Sequence, residues 1–193
     1  MKIKNLNNFL PFLLLAFLIF ILGLSTYKIS TKQEDNQQIT KKDFEQNPDS
    51  EFIKEKIILA EFSLPDLFNE NKNFSKKDLL GKYSLINLFA SWCTTCQAEH
   101  QILMRLKNEK IIEVYGIAWR DINQNTKDFL AKNGNPFTKV AKDNQALFTK
   151  LINVRAVPET LLINRQGDVI WRRIGNLEEQ DIYQIKSFLQ NSS

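Results

Sequence analysis

The chain has 193 residues, of which 43% are hydrophobic and 25% charged, and its formal net charge is +4. This composition is typical of a globular protein and excludes a chain that is disordered throughout. The positive excess is small and scattered, so it favours no nucleic-acid partner, and the length beyond a short amino-terminal segment fits one domain of ordinary size.

The amino-terminal segment contains an apolar run. Residues 9–24 carry no charged side chain, and two lysines precede them. Extended to residue 27, the run would form a helix of about 28 Å, enough for a thin bilayer. We predict a cytoplasmic tip at 1–8 and an uncleaved transmembrane signal anchor at 9–27. A cleaved signal peptide has the same charged start and apolar middle, and a buried core helix is a third alternative.

Residues 28–53 follow as a polar segment without apolar periodicity, rich in Gln, Asp and Lys. Such a segment predicts a flexible stalk. The folded domain is therefore predicted over residues 54–193.

Apolar runs and helical spacing predict an alternating series of strands and helices in this domain. The strands are predicted at 57–62, 83–90, 111–118, 137–140, 160–163 and 169–174. The helices are predicted at 75–80, 94–107, 123–132, 144–152 and 177–190. Alternation indicates parallel strands with helices on both faces, and the turn sequence at 164–168 indicates a closing antiparallel hairpin. The expected fold is α/β, with a mixed central sheet of the thioredoxin-like plan flanked by helices.

The chain has two cysteines, both in the sequence WCTTC at residues 92–96. This sequence joins a predicted buried strand to a predicted helix, so Cys93 falls at a helix N-terminus and Cys96 one turn later. A helix N-terminus stabilises a thiolate, which is the nucleophile in disulfide exchange. Cys93 is therefore predicted to attack a substrate disulfide, and Cys96 to resolve the mixed disulfide.

Other readings of the cysteine pair are weaker. A zinc site needs three or four ligands, and the chain offers these two cysteines and one histidine, His100. A structural disulfide gains little from closing so short a loop. We expect no metal and no cofactor. His100 lies about 10 Å along the helix from Cys93, too far to act as its base, and is predicted to be a surface or half-buried residue.

A second feature is the sequence Val157-Pro158 just before a predicted strand. An X-Pro bond at such a place can be cis in a turn held by its surroundings. Taken alone, it is more simply a proline that begins a strand.

Together these motifs resemble a known family. ASWCTTCQAEH at 90–100 and VPET at 157–160 look like the CcmG/DsbE family of thioredoxin-like thiol:disulfide interchange proteins. FSLPDL at 62–67 and GNPF at 134–137 fit the same family, and the similarity covers about residues 55–190. Thr94 and Ala156 depart from its usual Pro and Gly, and Thr94, which lies between the cysteines, leaves the redox potential open.

The resemblance assigns roles to individual residues. Cys93 would be the attacking thiol, Cys96 the resolving thiol, and Pro158 a cis-proline facing them. Glu99 and Glu159 match acidic residues that the family places near the active site, and Glu159 is a candidate for handling the Cys96 proton. The alternative is that both carboxylates are merely solvated.

Five further residues receive predictions. Asn87 stands where ordinary thioredoxins have a buried Asp. The sequence Trp119-Arg120-Asp121 ends a predicted strand and is a candidate border of the active-site groove. Trp171 is predicted to pack under the last helix.

The resemblance also implies a subcellular location and partner proteins. It implies a single-pass protein of the bacterial cytoplasmic (inner) membrane, with the catalytic domain on the periplasmic side. The expected function is reduction of disulfides in apocytochrome c, or in haem-maturation proteins, with a membrane thiol reductant as electron donor. A broader TlpA-like envelope reductase or oxidase and a non-catalytic thioredoxin-like binding module are the alternatives.

Overall fold

The structure, a computed structural model, describes residues 50–192. The predicted tip at 1–8, the predicted anchor at 9–27 and stalk residues 28–49 lie outside the described residues. Within residues 50–192, every helix is too short or too polar to cross a bilayer.

Eight strands and four α-helices make up the described part of the chain. The strands are β1 Ser50–Ile57, β2 Ser63–Pro65, β3 Asn73–Ser75, β4 Ser84–Phe89, β5 Glu113–Trp119, β6 Val140–Asp143, β7 Glu159–Ile163 and β8 Val169–Ile174. The α-helices are α1 Thr94–Asn108, α2 Asn123–Asn133, α3 Leu147–Leu151 and α4 Glu179–Asn191. A 3-10 helix at Lys76–Leu79 begins after Ser75, as predicted from the capping sequence.

The main sheet has six strands in the order β1-β8-β7-β4-β5-β6. Strands β4, β5 and β6 are parallel, whereas β7, β8 and β1 run antiparallel to their neighbours. The predicted mixed sheet is therefore confirmed. All six residues of β4 are buried, which is why this central strand reads as a continuous apolar run.

Each face of the sheet has its own core. Leu85 and Phe89 of β4 pack with residues of α1, α2 and α4 on one face, which we call the α1 face. Ile86 and Leu88 pack with α3 and the β2–β3 hairpin on the other, which we call the α3 face. This separation follows from the alternation of side chains along a strand. Trp171 lies on the α1 face and donates to Gln184 of α4, so its predicted packing is confirmed.

Four strands differ from the sequence prediction. Strand β1 is Ser50–Ile57 rather than 57–62, so residues 50–52 of the predicted stalk pair with β8. The β2–β3 hairpin was not predicted, because each of its strands has only three residues. Strand β6 starts at Val140 rather than at residue 137, because Phe137 turns inward and stacks on Phe89 with ring centroids 4.8 Å apart.

Candidate active site

The cysteines lie where two strands of opposite direction meet. Strand β4 ends just before Cys93, and β7 begins just after Pro158. Because β4 and β7 are antiparallel, with Leu88 opposite Glu159, the end of one strand lies beside the start of the other. The sheet topology therefore brings together two motifs that are more than sixty residues apart, as the 64-residue separation of Cys93 and Val157 shows.

Cys93 is the N-cap of α1 and forms a disulfide with Cys96. The Cys96 backbone N–H donates to the Cys93 Sγ over 3.1 Å, so the first turn of the helix points a donor at this sulfur. The Thr95 Oγ1 lies 3.3 Å from the same sulfur. These groups can stabilise negative charge on Cys93 when the disulfide opens.

The Val157-Pro158 bond is cis. The carbonyl oxygen of Val157 lies 3.6 Å from the Cys93 Sγ. Val157 is half-buried, whereas Pro158 is buried. The backbone of this turn therefore borders the attacking sulfur directly.

A pair of tryptophans forms the rim beside Cys93. The Trp92 side chain is 57% exposed, and its ring lies 6.4 Å from that of Trp119. The Arg120 guanidinium lies over the Trp119 ring, 5.1 Å from its centroid. Trp119 and Arg120 thus lie beside the redox motif, as the sequence predicted for the groove border.

Asp121 connects the two loops that carry this rim. Its carboxylate accepts from the Ser91 N–H over 2.6 Å and from the Ser91 hydroxyl over 2.9 Å. It also accepts from the Ile122 N–H and the Thr126 hydroxyl at the start of α2. Because Asp121 is buried, these hydrogen bonds fix the segment that leads from β4 into Cys93.

Glu99 lies one helical turn after Cys96 and is 1% exposed. Its Oε1 accepts from the Asn87 side-chain amide over 2.8 Å, and its Oε2 accepts from the Leu177 N–H over 2.7 Å. Burial raises the pKa of Glu99 to about 7, against the opposing effect of these two hydrogen bonds and of nearby Arg173. Residues three apart on a helix share a face, so Glu99 is a buried carboxyl beside Cys96 that changes charge near neutral pH.

Glu159 lies on the opposite face of the sheet from Glu99. It stands opposite Leu88, whose side chain belongs to the core of the α3 face. Its Oε1 lies 2.6 Å from the Nε of Arg172 in an ion pair. Burial raises the pKa of Glu159, and the Arg172 charge opposes that rise. Neither predicted carboxylate is solvated, but the structure brings only Glu99 to the α1 face, where Cys96 lies.

His100 differs from its prediction. It is 3% exposed, and its Nε2 lies 3.0 Å from the Gly134 carbonyl oxygen, with its ring edge-on to Phe129. The surface or half-buried placement was wrong because α2 and the loop after it cover this side of α1.

Comparison with known proteins identifies the family. The Redoxin family profile matches residues 53–188. The thiol:disulfide interchange protein DsbE of Pasteurella multocida is 30% identical over 175 residues, which cover 91% of this chain and 91% of the relative. The DsbE of Allochromatium vinosum is 34% identical over 120 residues, which cover 62% of this chain and 66% of the relative. The chain belongs to the DsbE family.

A solved structure supports the fold of this DsbE-family protein. A secreted thiol-disulfide isomerase from Corynebacterium glutamicum superimposes with a TM-score of 0.65 at 19% identity, covering 73% of this chain and 91% of that chain. The likeness confirms the thioredoxin-like fold. With the family and the Cys93–Cys96 pair in place, the protein is a thiol–disulfide oxidoreductase, as predicted.

Sequence reasoning missed two polar neighbours of Glu99, namely Thr160 and Arg173. Both face α1 and are buried, at 0% and 4% exposure. Arg173 carries a signal in the sequence, since it lies two residues after Trp171, which is buried on the same face of β8. A charged residue in phase with buried positions indicates a buried partner.

Proposed function

We propose that this protein is a membrane-anchored reductant of disulfides in apocytochrome c, or in the proteins that present apocytochrome c to haem. The proposal places the domain on the periplasmic side of the inner membrane, held by residues 9–27. The observation that carries it is the placement of the Cys93 sulfur at the N-terminus of α1, beside the Val157 carbonyl. DsbE-family membership and the apolar run near the N-terminus support it.

The first step uses the reduced form of the pair. The Cys93 thiolate attacks one sulfur of the substrate disulfide, so a bond forms between Cys93 and that sulfur. The substrate S–S bond breaks, and its second sulfur leaves as a thiolate that takes a proton from water. The N–H groups at the start of α1 favour the Cys93 thiolate.

The second step releases the substrate. Cys96 gives up its proton and attacks the Cys93 sulfur, which closes the Cys93–Cys96 disulfide and expels the substrate sulfur that was bound to Cys93 as a thiolate, which takes a proton from water. Two electrons have then moved to the substrate, and a membrane thiol donor must restore the pair. The geometry favours Glu99 as the acceptor of the Cys96 proton, because it lies one turn away and titrates near neutral pH.

Glu159 is the other candidate acceptor from the sequence. Its position on the α3 face, in an ion pair with Arg172, favours Glu99 instead. Glu159→Gln is therefore the matched control for Glu99→Gln. We expect Glu99→Gln to slow resolution of a mixed disulfide at pH 7 by about 10²-fold, the lower end for general acid–base groups, and Glu159→Gln to leave the rate within about twofold.

The turn at Val157-Pro158 completes the proposed site. Its backbone lies beside the attacking sulfur, so an extended substrate segment could pair with Val157 as an added strand. The exposed Trp92 offers an aromatic surface next to that segment.

Gene deletion tests the physiological direction. We expect the deletion to lower c-type cytochromes and an external thiol reductant to restore them. If the deletion leaves cytochromes intact and slows disulfide formation in secreted proteins, the protein is an oxidant and the proposal fails.

Trapping identifies the substrate. Cys96→Ser should accumulate mixed disulfides through Cys93, and their partners should be apocytochromes or haem-maturation proteins. A wide range of envelope proteins would indicate a broader reductase, and full function without Cys96 would indicate a binding module.

A further inference from the structure

A row of polar side chains crosses the sheet beneath Glu99. Asn87 of β4 is directly opposite Thr160 of β7, and Thr160 is directly opposite Arg173 of β8. Residues opposite each other in antiparallel strands point to the same face, with Cβ atoms about 5 Å apart. The Asn87 amide joins the row to α1, because it donates both to the Thr160 hydroxyl and to Glu99.

Arg173 also holds the segment that follows β8. Its Nε donates to the Asn176 carbonyl oxygen over 2.7 Å, and its Nη2 lies 3.0 Å from Glu178. The residue after Asn176 is Leu177, whose N–H donates to Glu99. The same segment reaches the active-site turn, since the Gly175 N–H donates to the Pro158 carbonyl oxygen over 2.9 Å. Arg173 thus fixes a connection between Glu99 and the proline turn.

We propose that Arg173 is a positioning residue for Glu99: it holds Glu99 in place through residues 174–178 and favours the carboxylate form that accepts the Cys96 proton. This inference rests on the proposed role of Glu99 in the second step. Arg173 acts through Glu99 and does not touch the sulfurs in the proposed reaction.

The charged groups that face Glu99 have opposite effects. From β8, Arg173 favours the carboxylate, whereas Asp181 of α4 disfavours it. The side chains that face it from β4 and β7, Asn87 and Thr160, are polar and uncharged, and Cys96 is the titratable neighbour on its own helix. Because Asp181 lies 3.4 Å from the Arg173 Nε, removing either charge should disturb the local structure similarly and yet move the Glu99 titration in opposite directions.

The test follows the Glu99 carboxyl by NMR in the full chain labelled with ¹³C-glutamate, with the Glu99→Gln variant to assign the signal. We expect Arg173→Met to move the titration up by about one pH unit and Asp181→Asn to move it down. Arg173→Lys should restore most of the original value. Arg105→Met is the matched control, since Arg105 lies on α1 but pairs with exposed Glu179.

The outcomes separate this inference from the proposed function. No shift in folded Arg173→Met, or shifts of the same sign in Arg173→Met and Asp181→Asn, would overturn the role of Arg173. If Arg173→Met does not fold, the other two variants decide. A downward shift of the Glu99 titration in Asp181→Asn, together with a titration close to the wild-type value in Arg173→Lys, supports the inference, and the absence of either result overturns it. The pH profile of mixed-disulfide resolution is measured on the same variants. If the Glu99 titration shifts in these variants but the pH profile of mixed-disulfide resolution does not, Arg173 acts on Glu99 as proposed and Glu99 is not the proton acceptor.

Discussion

Glu99 combines near-complete burial with two hydrogen bonds to its carboxylate. Burial disfavours the charged form, and the hydrogen bonds favour it. The burial effect is larger, so the carboxyl keeps its proton to a pH of about 7 in the folded protein, against 4.5 ordinarily. The same residue should therefore leave a signature in the pH dependence of stability.

The sign of that signature follows from proton counts. Between pH 4.5 and about 7 the folded form holds the Glu99 proton and the unfolded form does not. The free energy of unfolding therefore contains a contribution that is full below pH 4.5 and is lost as the pH rises through about 7, by about 3 kcal/mol in total. In urea unfolding across this pH range, the free energy of unfolding of the wild type minus that of Glu99→Gln should fall by that amount as the pH rises.

Glu179→Gln is the control for this measurement. The Arg105 hydrogen bond lowers the pKa of Glu179. The contribution of Glu179 to the free energy of unfolding is therefore lost as the pH falls, whereas that of Glu99 is lost as the pH rises. If the difference in the free energy of unfolding between wild type and Glu99→Gln stays constant with pH, the assignment of a raised pKa to Glu99 is contradicted.

The two cysteines should differ in reactivity once the disulfide is reduced. Both cysteines are buried, but only Cys93 accepts the Cys96 N–H at the start of α1. We expect iodoacetamide to alkylate Cys93 below pH 7 and Cys96 at least about tenfold more slowly, as read by mass spectrometry. In denaturant the two rates should become equal. Equal rates with ordinary pH dependence in the folded protein would contradict the proposed mechanism.

Among the structural elements, the loops at the ends of β4 and β5 depend on one carboxylate. Asp121 satisfies two donors of Ser91 and two at the start of α2. Removing it leaves buried donors without an acceptor. We expect Asp121→Ala to lower the free energy of unfolding by about 2–3 kcal/mol and to slow attack by Cys93.

Asp128→Ala is the matched control for Asp121→Ala. Asp128 is an exposed residue of α2 that accepts from Gln124. Its loss should change the free energy of unfolding by less than about 0.5 kcal/mol. Equal effects of the two substitutions would show that Asp121 does not fix the loop.

Strand β5 and the loop before β6 meet at a glycine. A Cβ on Gly116 would lie 2.8 Å from the Phe137 ring, which is itself stacked on Phe89. We expect Gly116→Ala to cost about 1–3 kcal/mol in urea unfolding. Phe137→Leu should relieve part of this cost, so the double variant should lose less stability than the sum of the single variants. Strict additivity would show that the ring is not the obstacle.

The elements that sequence predicted well are those with one dominant signal. Strand β4 is buried on both faces, and the cysteine motif marks the start of α1. Strand β1 was missed because its polar sequence resembles the stalk, and an edge strand can form through backbone pairing. The face on which Glu159 lies depends on the register of β7, which local sequence does not reveal.

For the whole molecule, the proposed function predicts where the domain lies relative to the inner membrane. Our proposal places residues from about 50 onward in the periplasm and retains residues 9–27. Protease added to spheroplasts should digest the domain, while protection in intact spheroplasts would contradict this orientation. A mature protein that begins near residue 26 would show that the apolar run is a cleaved signal.

The pairing of β1 with β8 has a consequence for the order in which the sheet assembles. Ser50, at the start of the described chain, pairs with Arg173, so nearly every other element lies between them along the chain. Contacts of such long range form slowly, because the intervening chain must first be ordered. While the chain is still emerging from the ribosome, β1 has no partner strand. It can join the edge of the sheet only after the segment through β8 has arrived.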